Sequence, residues 1–540
     1  MTQKNNDSAA LTLGADRLFE KIIRFCSEYR YSLLATLIFG LLSYTFVFTN
    51  KLMNPDELGN LLSLGFTVSS GRWGLELLQR MFPIYSMPWL NGIMTLGLIG
   101  LASCLIVNIF QIRRPVLQFL LSGLIIVFPS LIGTFLYMFT STSYGLSFLM
   151  SVGGVYCLTR KISRKNWYLL PAGVLLFVLS LSIYQAYIAL SAGLLVVYLI
   201  RETMYSDRTV GDLFKTGLLY VALLIVSLSL YWVISQLFIR CSPAGMNNYA
   251  SDALEAPRGL WERFHDTVVY FIMVFTEGLN VIFIKGLSQY LHIFCTAVAG
   301  VEVLFWCCHK KNLKRIPLLV FLFAMLPLAV TCLVLIVIFA SVHTLSIYSF
   351  VSLYVLAFVI LEENSRILSG KKVLDRIRSV LLNLVLISCS VIIAFNIFLA
   401  NKTYLAMYLD YQQNHSFATS LVTQVQMTPG YKDGMRVNIT GRFPIHRLPE
   451  GFSDLGPLTG ADGISTISWS YPDFYRYYIG TQLNVNYWDI DPELLRDPEY
   501  LEMETYPNAG FVKLIDGQVV VKLPLGDAPK SPAMEEVFPD

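Results

Sequence analysis

The chain has 540 residues, of which 55% are hydrophobic and only 14% charged, with a net charge of +3. A soluble domain carries about 25% charged residues, and a mean hydropathy of +0.57 would leave a soluble fold with apolar surface it could not cover. The charges lie at the ends of apolar runs rather than along one basic face, which argues against a nucleic-acid partner and for a mainly α, polytopic transmembrane helix bundle in a lipid bilayer.

Residues 1–10 are polar, and the run Tyr31–Thr49 lacks a small-residue cleavage site, so it reads as a retained first helix and not as a signal peptide. Apolar stretches of spanning length lie near 31–50, 89–110, 115–138, 144–159, 167–183, 186–201, 214–236, 286–308, 316–339, 345–361 and 379–400, about eleven spans at roughly 20 residues each. Basic residues mark alternate connections: Arg113 and Arg114; Arg160, Lys161, Arg164 and Lys165; Arg201, Arg208 and Lys215; Lys310, Lys311, Lys314 and Arg315; Arg366, Lys371, Lys372, Arg376 and Arg378. The connections near 140–143, 184–186 and 340–344 contain no Lys or Arg. The positive-inside rule then places the N-terminus, with Arg17, Lys21, Arg24 and Arg30, in the cytoplasm and the C-terminus outside.

Two outer loops are long, 50–88 and 240–286, and Thr267–Lys285 in the second is expected to be an amphipathic helix along the membrane surface. The expected division is a transmembrane domain over 1–402 and an exported domain over 403–540, where Tyr, Asp, Pro and Gly become frequent. In that domain Met435–Pro444 alternates like a strand, and Phe511–Pro524 reads as two strands around an Asp516-Gly517 turn, a small mixed α/β unit. Of nine cysteines only Cys241 falls in an exported loop and none lies beyond 403, so this unit folds without disulfides. P-loop, GxGxxG, HExxH and CxxC patterns are absent, so no cofactor is expected and ATP-driven transport by this chain is not.

Chemistry concentrates in the first outer loop, Asn54-Pro55-Asp56-Glu57-Leu58-Gly59 followed by Ser70-Gly71-Arg72-Trp73-Gly74. A carboxylate at the membrane surface could act as general base toward a sugar hydroxyl, and a guanidinium could hold a phosphate leaving group. The plainer reading is that Asp56 and Glu57 cap a loop helix at its positive end. At the tip Ser182-Ile183-Tyr184-Gln185-Ala186-Tyr187, Tyr184 and Gln185 could bind a sugar, or serve as an interfacial tyrosine and a turn residue. His343, in the short outer loop 340–344, is a candidate phosphate contact. Arg258, Arg263, His265, Asp266 and Glu277 in the second loop could contact a phosphate or an acceptor glycan, and Arg442 beyond it is similar, although mixed-charge loops are more often solvated surface.

With Asp56-Glu57, Gly71-Arg72-Trp73 and the Tyr184-Gln185 tip in view, the chain resembles the bacterial serotype-conversion O-antigen glucosyltransferases of the Gtr type, across nearly its whole length. The family's acid pair is commonly two aspartates, whereas the second here is Glu57, and in the late outer loop His343 and Tyr348 stand where an arginine is expected. The resemblance implies a GT-C-like fold, a polyprenyl-phosphate-glucose donor and an O-antigen glycan acceptor on the periplasmic side of the inner membrane. It also implies catalysis by Asp56 or Glu57 without a required metal, and substrate binding by Arg72, Trp73, Tyr184, Gln185, Arg258 and His343. A glycan-lipid flippase or exporter would need polar residues lining a path across the bilayer, which the spans hold in small number. An O-antigen polymerase or ligase, which shares membrane and substrate, is the nearer alternative.

Overall fold

The computed structural model describes residues 16–61, 67–81, 85–160, 166–242, 259–278, 286–310, 313–337, 342–367, 372–441, 458–461, 470–524 and 537. Arg258 and Arg442 lie outside them. The described chain is mainly helical, and seven of its helices are long and apolar enough to cross a membrane: Arg30–Thr49 (α1), Pro88–Phe110, Tyr187–Tyr205, Val210–Cys241, Leu287–Cys308, Thr344–Arg366 and Arg376–Met427. Pro115–Ile126, Leu169–Ile183 and Ile316–Val330 are apolar but shorter than a bilayer is thick. In chain order the remaining labels are α2 (Pro55–Gly59), α3 (Trp73–Met81), α4 (Pro88–Phe110), α5 (Pro115–Ile126), α6 (Pro129–Thr134), α7 (Met138–Thr159), α8 (Leu169–Ile183), α9 (Tyr187–Tyr205), α10 (Val210–Cys241), α11 (Leu260–Glu277), α12 (Leu287–Lys310), α13 (Ile316–Val330), α14 (Val351–Ile367) and α15 (Lys372–Met427).

The expected span 115–138 is not one helix. Pro129 has no N–H to donate and forces Phe128 into extended geometry, at φ −62 and ψ 137, so α5 stops at Ile126 and α6 restarts at Pro129. Such a break inside the bundle frees carbonyls that lipid cannot satisfy. Buried tyrosines from three other segments supply donors along this broken stretch: the Tyr44 hydroxyl donates to the Ile126 carbonyl at 2.7 Å, Tyr348 to Ile125 at 2.7 Å and Tyr404 to Ile132 at 3.1 Å. α7 starts at Met138 rather than 144, and α13 ends at Val330 instead of continuing to 339, tightening into a 3-10 turn over Cys332–Leu335.

Small residues bring α1 and α4 together, the usual device where lipid gives no hydrophobic drive for helix association. A Cβ on Gly92 would stand 2.2 Å from the Phe48 ring, and one on Gly100 would be 2.7 Å from Thr36 Cγ2. At the end with the basic connections, Arg378 Nε and Nη2 grip the buried Glu302 carboxylate at 3.0 and 2.9 Å, tying α15 to α12.

The expected surface helix in the second long loop is α11, which begins before Thr267 and buries Thr267, Tyr270 and Val274 on one side. Thr331 Oγ1 donates to the Thr267 carbonyl at 3.3 Å, and Arg263 Nη1 to that of Leu335 at 2.9 Å, so this helix is bonded to the segment after α13.

α15 runs uninterrupted past residue 402, where the transmembrane domain was expected to end, because Lys402–Met427 keeps helix-forming residues with no proline or glycine. Its last turns bury Phe417, Leu421, Val422 and Val425 against Val437, Ile439, Val519 and Val521. Those residues belong to a four-stranded sheet of β1 (Arg436–Thr440), β2 (Asn484–Asn486), β3 (Val512–Ile515) and β4 (Gln518–Lys522) in the order β2-β1-β4-β3. β1 is parallel to both neighbours, and β3 and β4 form the expected hairpin with Asp516 and Gly517 at φ 48 and 73, the positive angles a two-residue turn needs.

Replacing Gly92 by Ala should drive a methyl into the Phe48 ring and cost about 1–3 kcal/mol. In thermal melts of the detergent-solubilised protein, Gly92→Ala should melt below wild type, whereas Gly97→Ala, with open space at its Cβ position, should not.

Candidate functional site

The loop after α1 starts a short helix for local reasons. Asn54 is extended and its Oδ1 accepts the Glu57 N–H at 2.8 Å, Pro55 occupies the first helical position, and the two acids follow in the first turn beside the positive helix end. The Asn54 amide also donates to the carbonyls of Leu136 and Gly460, at 3.1 and 3.2 Å, so α2 is pinned to the α6–α7 connection and to the segment 458–461.

The two carboxylates have different surroundings. Glu57 is 1% exposed, and its Oε1 receives both the Lys51 ammonium and the Ser86 hydroxyl. Its Oε2 accepts the Phe139 N–H at 3.4 Å. Asp56 is exposed, and among the described residues its carboxylate forms no ion pair. Enough protein surrounds it at longer range to raise its pKa by desolvation, while the Arg72 charge pulls the other way.

Arg72 follows a left-handed turn. Gly71, at φ +77, closes the short helix Val68–Ser70, and a Cβ there would stand 2.7 Å from the Tyr231 hydroxyl. The Gln185 side-chain amide holds this turn, donating to the Ser70 carbonyl and the Tyr231 hydroxyl, each at 2.9 Å, while Tyr231 donates to the Gly71 carbonyl at 3.2 Å. Arg72 Nη1 then donates to the Tyr144 hydroxyl at 3.1 Å, with its guanidinium 5.5 Å from the centre of the Tyr184 ring. Tyr144 and Tyr184 stack at 4.3 Å, making an aromatic wall beneath the cation.

His343 is half-buried and feels the same cation: burial first, then the Arg72 charge, pushes its pKa down to about 4, so the imidazole is neutral at neutral pH. Its Nδ1 has no hydrogen-bond partner among the described residues.

The fold therefore brings Asp56, Glu57, Arg72, Tyr184, Gln185 and His343 to one end of the bundle. Gln185 serves the Arg72 turn. Trp73 is buried and stacks on Phe238 at 5.2 Å, fastening α3 to α10. Arg263 is engaged with the carbonyls of Leu335 and Ile336, and His265 pairs with Asp266 at 3.7 Å on the surface. Lys51, Ser86, Tyr144 and Tyr231 escaped the sequence reading. Only Lys51 carried a signal, as a lone cation beside two acids.

A model of the family described as glucosyl transferase GtrII matches residues 45–361, more than half of the chain, taking in the loop after α1, the Tyr184-Gln185 tip and His343. No curated protein and no solved structure matched in the same comparisons.

The unequal carboxylates give a stability test. The folded state holds the Asp56 proton more tightly than the unfolded chain, so this group's contribution falls as pH rises from 3.8 through its raised value. Asp56→Asn should therefore melt no lower than wild type at neutral pH and gain on it as pH rises through that window. Glu57→Gln should lose about 1–3 kcal/mol by stranding the Lys51 ammonium. Thermal melts from pH 4 to 7 check both, and equal behaviour of the two variants contradicts the asymmetry.

Proposed function

The chain belongs to the glucosyl transferase GtrII family, and on that footing we propose that it moves a glucosyl residue from a polyprenyl-phosphate donor to an O-antigen glycan on the periplasmic side of the inner membrane. The observation that carries the reading is the division of labour at α2: one carboxylate locked by Lys51 and Ser86, the other open, desolvated and within electrostatic reach of Arg72. The alternating basic connections support a cytoplasmic N-terminus and a site on the opposite face. The polytopic bundle with its catalytic loop after the first span supports a GT-C-like assignment.

The proposed reaction is a single displacement. The acceptor hydroxyl oxygen attacks the anomeric carbon as the bond from that carbon to the phosphate oxygen breaks, and polyprenyl phosphate departs with the bonding electron pair. Asp56 takes the hydroxyl proton. Its raised pKa makes it a stronger base than an ordinary aspartate. Arg72, braced by Tyr144 and Tyr184, faces the charge that grows on the leaving phosphate, and neutral His343 contributes a hydrogen bond and no second positive charge. Glu57 positions α2, and the scheme assigns no step to a metal.

Membranes containing the full chain, supplied with polyprenyl-phosphate-glucose and O-antigen, should form glucosylated glycan. Asp56→Asn should lower the rate by about 10²–10⁴ with the donor KM little changed. Arg72→Lys, which keeps the charge but loses the planar fork, should lower kcat/KM for the donor by roughly tenfold or more. In wild type the acid limb of the pH–rate profile should lie above 3.8. Full-rate transfer by Asp56→Asn would remove the proposed base.

A further inference from the structure

The residues after the short helix Tyr471–Phe474 (α16) form a π-helical turn, Tyr475–Ile479, closed by Gly480 at φ +78. Such turns are rare, give up good hydrogen-bond geometry, and are enriched at functional sites. This one is seated against the catalytic loop: Met53 and Leu58, which flank Asp56, bury in the same core as Tyr471, Phe474 and Tyr475. Tyr478 is close enough to Glu57 for that carboxylate to raise its pKa further, after burial.

The extra residue in the turn sorts four consecutive side chains. Tyr475 is fully buried, Tyr478 is half-buried and stacked on Phe474 at 5.4 Å and 17°, and Arg476 and Tyr477 face solvent. Tyr477 is 42% exposed, with the Arg476 guanidinium 5.3 Å from its ring centre. An exposed ring beside a half-exposed ring and a cation offers apolar faces for the C–H side of a sugar, together with hydroxyl and guanidinium groups for its hydroxyls. Gln482 and Asn484 nearby are also exposed. That polar border differs from the lipid-facing side of α10, where Leu218, Val221, Ile225 and Leu237 are exposed.

We propose that the turn Tyr475–Ile479 is an acceptor subsite: Tyr477, flanked by Arg476 and Tyr478, holds sugar rings of the acceptor glycan adjoining the unit whose hydroxyl meets Asp56. The inference rests on the transferase reading above and adds to it a place and a ligand class. The acceptor chain then lies across the C-terminal unit and the donor approaches from the bilayer, so the two substrates are separable by mutation.

The test is steady-state transfer by the full chain in membranes, varying acceptor glycan at saturating donor and donor at saturating acceptor. Tyr477→Ala should raise the acceptor KM about tenfold, the scale of one lost aromatic stack, and leave the donor KM within about twofold. Tyr477→Phe, which keeps the ring, should stay within about threefold of wild type for both. An unmoved acceptor KM in Tyr477→Ala overturns the proposal. So does an equal rise for donor and acceptor, which would mark Tyr477 as a membrane-interface or folding residue. If wild type itself transfers no glucose, the transferase reading fails, and binding of purified O-antigen polysaccharide to the full chain, wild type against Tyr477→Ala, decides the subsite: equal binding refutes it and weakened binding sustains it.

Discussion

A buried ion pair fixes the geometry of the end of the bundle that carries the site. Glu57 is the third residue of a five-residue helix, too short to hold its own shape, and its carboxylate is gripped by Lys51, by Ser86 and by the Phe139 amide. Those three partners come from the end of the first span, the entry to α4 and the start of α7, so a single side chain joins the segments that frame the site. Once Glu57 is tied down, helical geometry turns the preceding residue about 100° away, and Asp56 is left exposed. The asymmetry of the two acids follows from that anchoring more than from their chemical difference.

The same logic recurs deeper in the bundle. Pro129 breaks a helix where lipid can offer no hydrogen bonds, and Tyr44, Tyr348 and Tyr404 donate to the carbonyls along the broken stretch. Tyr348 belongs to the segment that begins at His343, and Tyr404 to the long helix that carries the C-terminal sheet. The break thus couples the membrane core to two elements beside the site. Helix ends, turns and a glycine at positive φ then set the functional groups, which is where a rigid helical scaffold can place them with least disturbance to its spans.

Much of this could be read from the residues alone. Long apolar runs with alternating basic connections give the helices, and Asn54-Pro55-Asp56-Glu57 spells a helix start with acids in its first turn. Asp516-Gly517 between two alternating runs gives the hairpin. Other features depend on contacts that no local pattern encodes. Ser86 lies 29 residues from Glu57, across the first long loop, and meets it only when the chain returns to enter α4. Trp73 follows Arg72 directly, and its stacking on Phe238 in a distant helix is likewise set by tertiary packing. The split of 115–138 was signalled by Pro129, but average hydropathy over a long window hides a single proline. The boundary expected at 402 marks a change in composition, and α15 runs through it with no proline or glycine to stop it before Met427.

The central claim is that Glu57 acts by holding α2 while Asp56 acts on the proton. The most direct measurement is the transfer rate of Lys51→Met/Glu57→Gln, which removes both charges of the buried pair together and so avoids the stranded ammonium that Glu57→Gln alone leaves. The account predicts that the double variant regains most of the activity lost in Glu57→Gln. A double variant as inactive as Asp56→Asn, though folded as judged by its melting temperature, would place the base at Glu57 and contradict it.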